Sequence, residues 1–75
     1  MPYIKIKAYP KDEAVKKRVA QRINEVFLQE WGCPAEAISL SFEEVSPSDW
    51  ESTVKTPEID ANADKMTILH GKKMY

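Results

Sequence analysis

The sequence predicts an α+β protein built on one βαβ unit and completed by a second copy of the chain. Two segments with alternating apolar and polar residues, typical of half-buried strands, flank one long segment whose apolar residues have helical spacing. The chain has 75 residues, which predicts a single domain over residues 1–75. A chain this short buries only about 60% of the surface of its unfolded form, so a monomer would be marginally stable.

The first predicted strand runs from Tyr3 to Tyr9, and Pro10 ends it. Apolar and polar residues alternate strictly along it, which is the pattern of a strand with one buried face. The apolar face holds Ile4, Ile6 and Ala8, and the polar face holds Lys5 and Lys7.

A long helix is predicted from Asp12, which we expect at its N-cap, to Trp31. Gly32 stops this helix, and Pro34 prevents its resumption. Its apolar residues recur at spacings of three and four, which is typical of a helix with one buried face. They are Val15, Val19, Ile23, Val26, Phe27 and Trp31.

A second alternating segment follows, with Ile38, Leu40 and Phe42 on one face. The mostly helical segment between the two strands has the length of a crossover connection, which joins parallel strands and is right-handed. Two strands and one helix leave both sheet edges open. We therefore expect a homodimer, in which four strands form one sheet with two long helices on one face.

The second half of the chain predicts a short helical tail. Ser48 and Glu51 form a capping-box pattern that would begin a helical turn bearing Trp50. The segment "TPEIDANADKMTILHG" would begin a second helical segment with Thr56 as its cap and the following proline in the first helical position. Gly71 would stop that segment.

Composition excludes several classes of protein. The 11 basic and 12 acidic residues nearly balance, which does not favour binding to nucleic acid or to acidic membranes. No segment approaches the ~20 apolar residues of a membrane span, so we expect a cytoplasmic protein. The single cysteine, Cys33, and the single histidine, His70, are too few for a disulfide or a metal site. We interpret Cys33 as a semi-buried filler and His70 as structural.

Pro2 is the strongest candidate for chemistry. Removal of Met1 would leave it as the amino terminus, with a free secondary amine. An α-amino group has a pKa of about 8, and partial burial among apolar side chains lowers that value. The amine would then be substantially neutral near pH 7, as a general base must be. A proline in this place is also compatible with an amino terminus that simply resists degradation.

The segments "PYIKIKAYP" and "AISLSFEEVSPSDW", with the long helix between them, resemble the tautomerase superfamily and most closely its 4-oxalocrotonate tautomerase group. The resemblance covers the whole chain, and the tail "EIDANADKMTILHGKKMY" resembles that of the dimeric members. It implies the βαβ tautomerase fold, a homodimer and a keto–enol isomerase. No metal or organic cofactor is expected, because the proton needs no carrier other than the amine.

The resemblance also implies roles for individual residues. Pro2 would move a proton between oxygen and carbon of a small enol or 2-oxo acid, and Trp50 falls where the family has its pocket aromatic. Ser39 stands where the family has an arginine on the second strand, and a second family arginine falls near Lys11 and Asp12. Lys11 is therefore the expected anion contact. A substrate of the phenylenolpyruvate type fits better than a dicarboxylate, because neither serine nor lysine can bind a carboxylate through two parallel, charge-assisted hydrogen bonds as arginine does.

The alternative is a catalytically silent dimeric βαβ scaffold or binding protein. The absence of both arginines favours this hypothesis, and the presence of Pro2 in the matching position opposes it. The state of Met1 distinguishes the two hypotheses, because a retained methionine blocks the amine.

Overall fold

The computed structural model describes all 75 residues, which form two compact units, Met1–Glu44 and Val45–Tyr75. The expectation of a single domain over residues 1–75 stays a prediction. The first unit is a βαβ unit, as predicted. Its elements are β1 (Tyr3–Ala8), α1 (Glu13–Val26), a π-helical turn (Phe27–Trp31), a 3₁₀ turn (Ala35–Ala37) and β2 (Ser39–Glu44).

β1 and β2 pair in parallel, with Tyr3 opposite Ser39. This confirms the parallel arrangement that the crossover length predicts. Residues opposite one another share a face of the sheet, and the apolar face is half-buried, as the alternation predicts. β1 ends one residue earlier than predicted. The opposite pairs on the apolar face are Ile4 with Leu40 and Ile6 with Phe42.

α1 and the π-helical turn together span the predicted helix. Gly32 ends it as predicted: its φ of 73° is left-handed, and its N–H donates to the Phe27 carbonyl at 3.2 Å. The half-buried face of the helix is narrower than predicted. Val19, Val26 and Trp31, which the spacing places on that face, are 39%, 54% and 68% exposed. They lie on its flanks in a single chain.

Glu44, the last residue of β2, fastens the start of α1 to the sheet. Its Oε2 accepts hydrogen bonds from the backbone N–H of Lys11 at 3.0 Å and from Lys16 Nζ at 3.1 Å. Lys16 Nζ also lies 2.9 Å from the carboxylate of Glu13, one turn away on the helix. The Lys11 N–H first, and the Lys16 ammonium second, hold the pKa of the Glu44 carboxyl below its ordinary value.

Few side chains of the chain are buried. Val54, with 4% of its surface exposed, is the one buried residue. Several large apolar side chains stay in contact with water in the single chain. The expected homodimer stays a prediction. The exposed large apolar residues include Met1, Tyr3, Tyr9, Val26, Trp31, Ile68, Met74 and Tyr75.

The second unit begins with a helix and ends with a hairpin, whereas the sequence predicts helical segments up to Gly71. None of the helices in the chain is long and apolar enough to span a membrane. The unit consists of α2 (Pro47–Trp50), a π-helical segment (Glu51–Ile59), a 3₁₀ segment (Asp60–Lys65), β3 (Ile68–Leu69) and β4 (Lys72–Lys73).

The start of α2 differs from the prediction. Ser46, not Ser48, is the N-cap residue, with φ −67° and ψ 151°. Pro47 takes the first helical position, where its missing N–H costs nothing and its fixed φ suits the helix. The Ser46 hydroxyl donates to Asp49 Oδ2 at 3.0 Å, which ties the cap to the first turn.

The predicted second helix start at Thr56 is wrong. The helix continues through Thr56, and Pro57 lies inside it. Proline offers no N–H to the helix and normally breaks or kinks it. Here the helix has the wider π-type bonding around Pro57, and such bulges are known means of accommodating an interrupted bond pattern.

The chain ends in a two-stranded antiparallel hairpin of β3 and β4. His70 and Gly71 have φ of 49° and 81°, and two positive φ values in succession are the mark of a type I′ turn. The hairpin continues past β4, since Met74 N–H donates to the Thr67 carbonyl at 2.8 Å. His70 therefore lies in a turn and not near the end of a helix as expected, and its structural role stays a prediction.

Replacing Gly71 by Ala tests this turn. Alanine at a φ of 81° is strained, so Gly71→Ala should cost about 1 kcal/mol of hairpin stability. Amide hydrogen exchange of Met74, whose N–H closes the hairpin, should accelerate by about fivefold. A Met74 amide with unchanged exchange would contradict the turn.

Replacing Glu44 by Gln tests the fastening of α1 to β2. The pKa of Glu44 is lowered in the folded chain. The contribution of Glu44 to the free energy of unfolding is therefore complete above the ordinary carboxyl pKa, and it disappears as the pH falls through the lowered pKa. The loss of Tm in Glu44→Gln should therefore be largest at neutral pH and shrink near pH about 3. Glu36→Gln, a change at an exposed residue of the same unit, is the control, and its Tm should fall less at neutral pH than that of Glu44→Gln. Equal losses of Tm for Glu44→Gln at both pH values would contradict the prediction.

Candidate active site

Pro2 lies immediately before β1 and is half-buried. Its carbonyl accepts a hydrogen bond from the backbone N–H of Ser39 at 3.1 Å. Its ring fixes φ near −65°. The ring and the hydrogen bond together hold this residue in one orientation at the amino end of the β1–β2 pair.

The terminal charge already lies beside Pro2. In the chain with Met1 attached, the Pro2 nitrogen is an amide nitrogen and is not basic. The α-ammonium belongs to Met1 and donates to the carbonyl of Ala37 at 2.9 Å, while the residue as a whole is 91% exposed. Removal of Met1 would move that charge by one residue, onto the ring nitrogen of Pro2.

Ser39 is the one predicted site residue that the structure brings next to Pro2 in the same unit. It opens β2, lies opposite Tyr3 and is exposed. Its backbone N–H is engaged with Pro2, which leaves the hydroxyl as its free polar group. A hydroxyl offers one donor, against the planar pair of donors with which arginine holds a carboxylate.

Lys11 lies at the other end of the strand from Pro2. Six residues of β1 separate them, which at about 3.3 Å per residue amounts to roughly 20 Å. The backbone N–H of Lys11 is bonded to Glu44, and Glu44 ends β2. Within one chain the structure therefore does not bring Lys11 to Pro2, and its assignment as the anion contact stays a prediction.

Trp50 is the last residue of α2, in the second unit, and is half-buried. Its assignment to the pocket wall also stays a prediction. Cys33 is half-buried, and its thiol donates to the Phe27 carbonyl at 3.8 Å, which agrees with the filler role. No three side chains of the metal-binding types lie together as ligands of one ion would.

Ala37, whose carbonyl accepts a hydrogen bond from the terminal ammonium at 2.9 Å, is not among the site residues predicted from the sequence. A backbone carbonyl carries no side-chain signal, and alanine is unremarkable in composition or spacing. Only the register of two parallel strands shows which carbonyl faces the amino terminus, and the sequence does not give that register directly.

The fold and this arrangement define a class of small α+β protein, in which a parallel βαβ unit begins directly after a proline. No family model matches the chain. Tautomerase PptA of Pectobacterium atrosepticum is 31% identical over 73 residues, which cover 95% of this chain and 96% of that protein. Tautomerase PptA of Pectobacterium carotovorum subsp. carotovorum is 29% identical over the same proportions of both chains. The chain belongs to the tautomerase superfamily, which confirms the resemblance found in the sequence.

Proposed function

We propose that the chain is a keto–enol tautomerase that acts on small enol and 2-oxo acids, with Pro2 as general base once Met1 is removed. Its similarity to two proteins named as tautomerases supports an isomerase. The observation that carries the proposal is the fixed position of Pro2, whose carbonyl is bonded to the Ser39 N–H at 3.1 Å. A base that is held in place needs no reorientation before it takes a proton.

In the proposed reaction the neutral amine of Pro2 takes the proton from the enol hydroxyl. The O–H bond breaks, the carbonyl forms, and the amine returns the proton to the carbon that was part of the double bond. The amine must be neutral to begin this cycle, and its half-buried position favours the neutral form. Each pKa unit of that effect corresponds to about 1.4 kcal/mol. The proton needs no metal or organic cofactor.

The substrate class follows from the cations that are available. The two arginines of the chain, Arg18 and Arg22, both lie on α1, so no guanidinium stands on β2 beside Pro2. We propose that Lys11 supplies the single positive charge for the substrate carboxylate, that Trp50 forms an apolar wall and that Ser39 contributes its hydroxyl. One point charge and an aromatic wall favour an aromatic enol acid of the phenylenolpyruvate type over a dicarboxylate.

A homodimer explains how Lys11 can serve this site. A two-fold axis perpendicular to the sheet keeps both α1 helices on one face and pairs the two sheets edge to edge with antiparallel strands. The carboxyl end of β1 in one copy then lies toward the amino end of the strands in the other. Lys11 follows the carboxyl end of β1, so Lys11 of a second copy comes to the end of the sheet at which Pro2 lies. The small buried core of one chain supports the same assembly.

The alternative function is a non-catalytic dimeric scaffold or binding protein. The observation that favours it is the absence of an arginine from β2 and from the segment after β1, since both arginines of the chain lie on α1. Mass spectrometry of the protein from its native host separates the two functions. A chain that retains Met1 and does not turn over enol acids would be the scaffold.

Pro2→Ala tests the proposed base. The trimmed variant keeps a terminal amine but loses the ring that fixes it, so turnover of phenylenolpyruvate, followed by ultraviolet absorbance, should fall by about a hundredfold or more. Pro10→Ala, a change of the same kind at an exposed residue two positions beyond the end of β1, should leave turnover unchanged. Mass spectra should show that Met1 is absent from both variants and from the wild type. Equal turnover in Pro2→Ala and the wild type would exclude Pro2 as the base.

Mixing two impaired variants tests whether Lys11 acts from the second copy. Lys11→Ala should raise KM and so lower activity at low substrate, and Pro2→Ala should lower turnover by about a hundredfold or more. If Lys11 acts across the dimer, half of the randomly mixed dimers contain one intact site, so a 1:1 mixture should recover roughly a quarter of the wild-type activity at low substrate. Sedimentation must show dimers in every sample. A mixture with no more activity than the average of its two components would show that Lys11 does not act from the second copy.

A further inference from the structure

The polar face of β1 and β2 carries an ion pair that the proposed site does not use. Lys5 Nζ lies 2.8 Å from Glu43 Oε1, and the two side chains are 45% and 46% exposed. The register sets Lys5 opposite Ser41 and Lys7 opposite Glu43, so Lys5 and Glu43 are diagonal neighbours on one face. The pair therefore directs the Lys5 ammonium toward the carboxyl end of the sheet.

Lys5 has a second diagonal neighbour on β2, in the opposite direction. Tyr3 is opposite Ser39, so Ser39 lies two residues before Ser41 and Glu43 lies two residues after it. Two residues of a strand span roughly 6.6 Å, and neighbouring strands lie about 4.8 Å apart, so each diagonal is roughly 8 Å between backbones. The flexible stem of lysine and a carboxylate partner cover this distance in the pair with Glu43. A substrate carboxylate beside Ser39 would be within the same reach.

Ser39 is the residue of β2 that contacts Pro2, because its N–H donates to the Pro2 carbonyl at 3.1 Å. An ammonium turned toward Ser39 would therefore lie at the end of the sheet that holds the proposed base. It would add a second positive charge there to the one that we propose for Lys11. Two cations would suit a substrate with two carboxylates, and one cation suits a substrate with a single carboxylate.

Glu43 is ionised at neutral pH and competes for this ammonium. The hydrogen bond from Lys5 first, and then the charges of Lys5 and Lys7, hold the pKa of the Glu43 carboxyl below its ordinary value. Both side chains of the pair are about half in water, where an ion pair is weak and can exchange partners. A substrate carboxylate and Glu43 are therefore alternative partners of one ammonium.

We propose that Glu43 determines how many carboxylates the substrate carries. It holds the Lys5 ammonium toward the carboxyl end of the sheet, withholds a second cation from the end where Pro2 lies, and so disfavours dicarboxylates. The inference rests on the proposed function, in which substrate binds at that end. Specificity then depends on a repulsive, competing group of the chain as well as on the groups that bind the substrate.

Glu43→Gln tests the proposal with two unreactive acids that differ by one carboxylate. Hexanoate carries one carboxylate, and adipate carries two on a carbon chain of the same length. The trimmed protein is labelled with ¹⁵N, and binding is followed at the amides of Ser39 and Ser41. Adipate should bind about fivefold more tightly to Glu43→Gln than to the wild type, and hexanoate binding should change by less than about twofold. No gain in adipate binding would overturn the inference.

Two further variants show whether the gain comes from Lys5. Glu36→Gln makes the same change of charge at an exposed residue of the turn before β2. It should leave adipate binding unchanged, because Lys5 stays paired with Glu43. Lys5→Met, added to Glu43→Gln, keeps an unbranched side chain without the ammonium and should abolish the gain. Equal gains in Glu43→Gln and Glu36→Gln, or a gain that survives Lys5→Met, would overturn the inference.

Turnover provides an independent measurement, with phenylenolpyruvate and an analogue that carries a second carboxylate on its ring. Glu43→Gln should lower the KM of the analogue relative to that of phenylenolpyruvate by about fivefold, because the new contact is made in ground state and transition state alike. An unchanged ratio of the two KM values would contradict the proposal. The amide titration does not depend on turnover. A protein that gains adipate binding through Lys5 but isomerises no enol acid would reject the proposed function and leave the role of Glu43 standing.

Discussion

The parallel pairing of β1 with β2 is the constraint on which the rest of the first unit depends. Its register sets Tyr3 opposite Ser39, and this alone brings the Pro2 carbonyl to the Ser39 N–H and the terminal ammonium to Ala37. Side chains alternate between the faces of a strand, so a slip of one residue would exchange the half-buried and exposed faces. It would also separate Pro2 from both of its neighbours on β2. The apolar residues of the strands therefore position the candidate base indirectly, by fixing the register.

The same strand that positions Pro2 keeps it away from the predicted anion contact. Pro2 and Lys11 lie beyond opposite ends of β1, and Glu44 holds the Lys11 backbone at its own end. One copy of the chain therefore does not bring these two predicted site residues together. Burial within the chain is also sparse, with Val54 as the one buried residue. In the proposed homodimer a second copy would bring Lys11 toward Pro2 and would cover exposed apolar surface, so the same assembly would serve both stability and chemistry.

The sequence predicted the first unit well because its signals are local and mutually consistent. Alternation, helical spacing and the helix stop at Gly32 each follow from one period or one residue type, and the crossover length then implies parallel strands. The second unit was predicted less well because its signals are ambiguous. Gly71 marks a positive φ, which suits the end of a helix and a type I′ turn equally, and His70 gave no sign of its own positive φ. The family resemblance named Pro2 and Ser39 as candidate site residues, and only the structure shows that their backbones are hydrogen-bonded and that the Ala37 carbonyl lies beside them.

The choice of proline at the second position has a consequence for the backbone as well as for the amine. With Met1 attached, any other residue there would donate its own N–H to the Ala37 carbonyl and close the ladder. Proline cannot do so, and the carbonyl remains available to the charged end of the chain. If Met1 is removed, the nitrogen becomes a secondary amine held in a rigid ring. A small residue such as alanine would permit removal of Met1 equally well but would leave a freely rotating primary amine. The rigidity of the ring is therefore the property that distinguishes proline from other small residues at the start of this sheet.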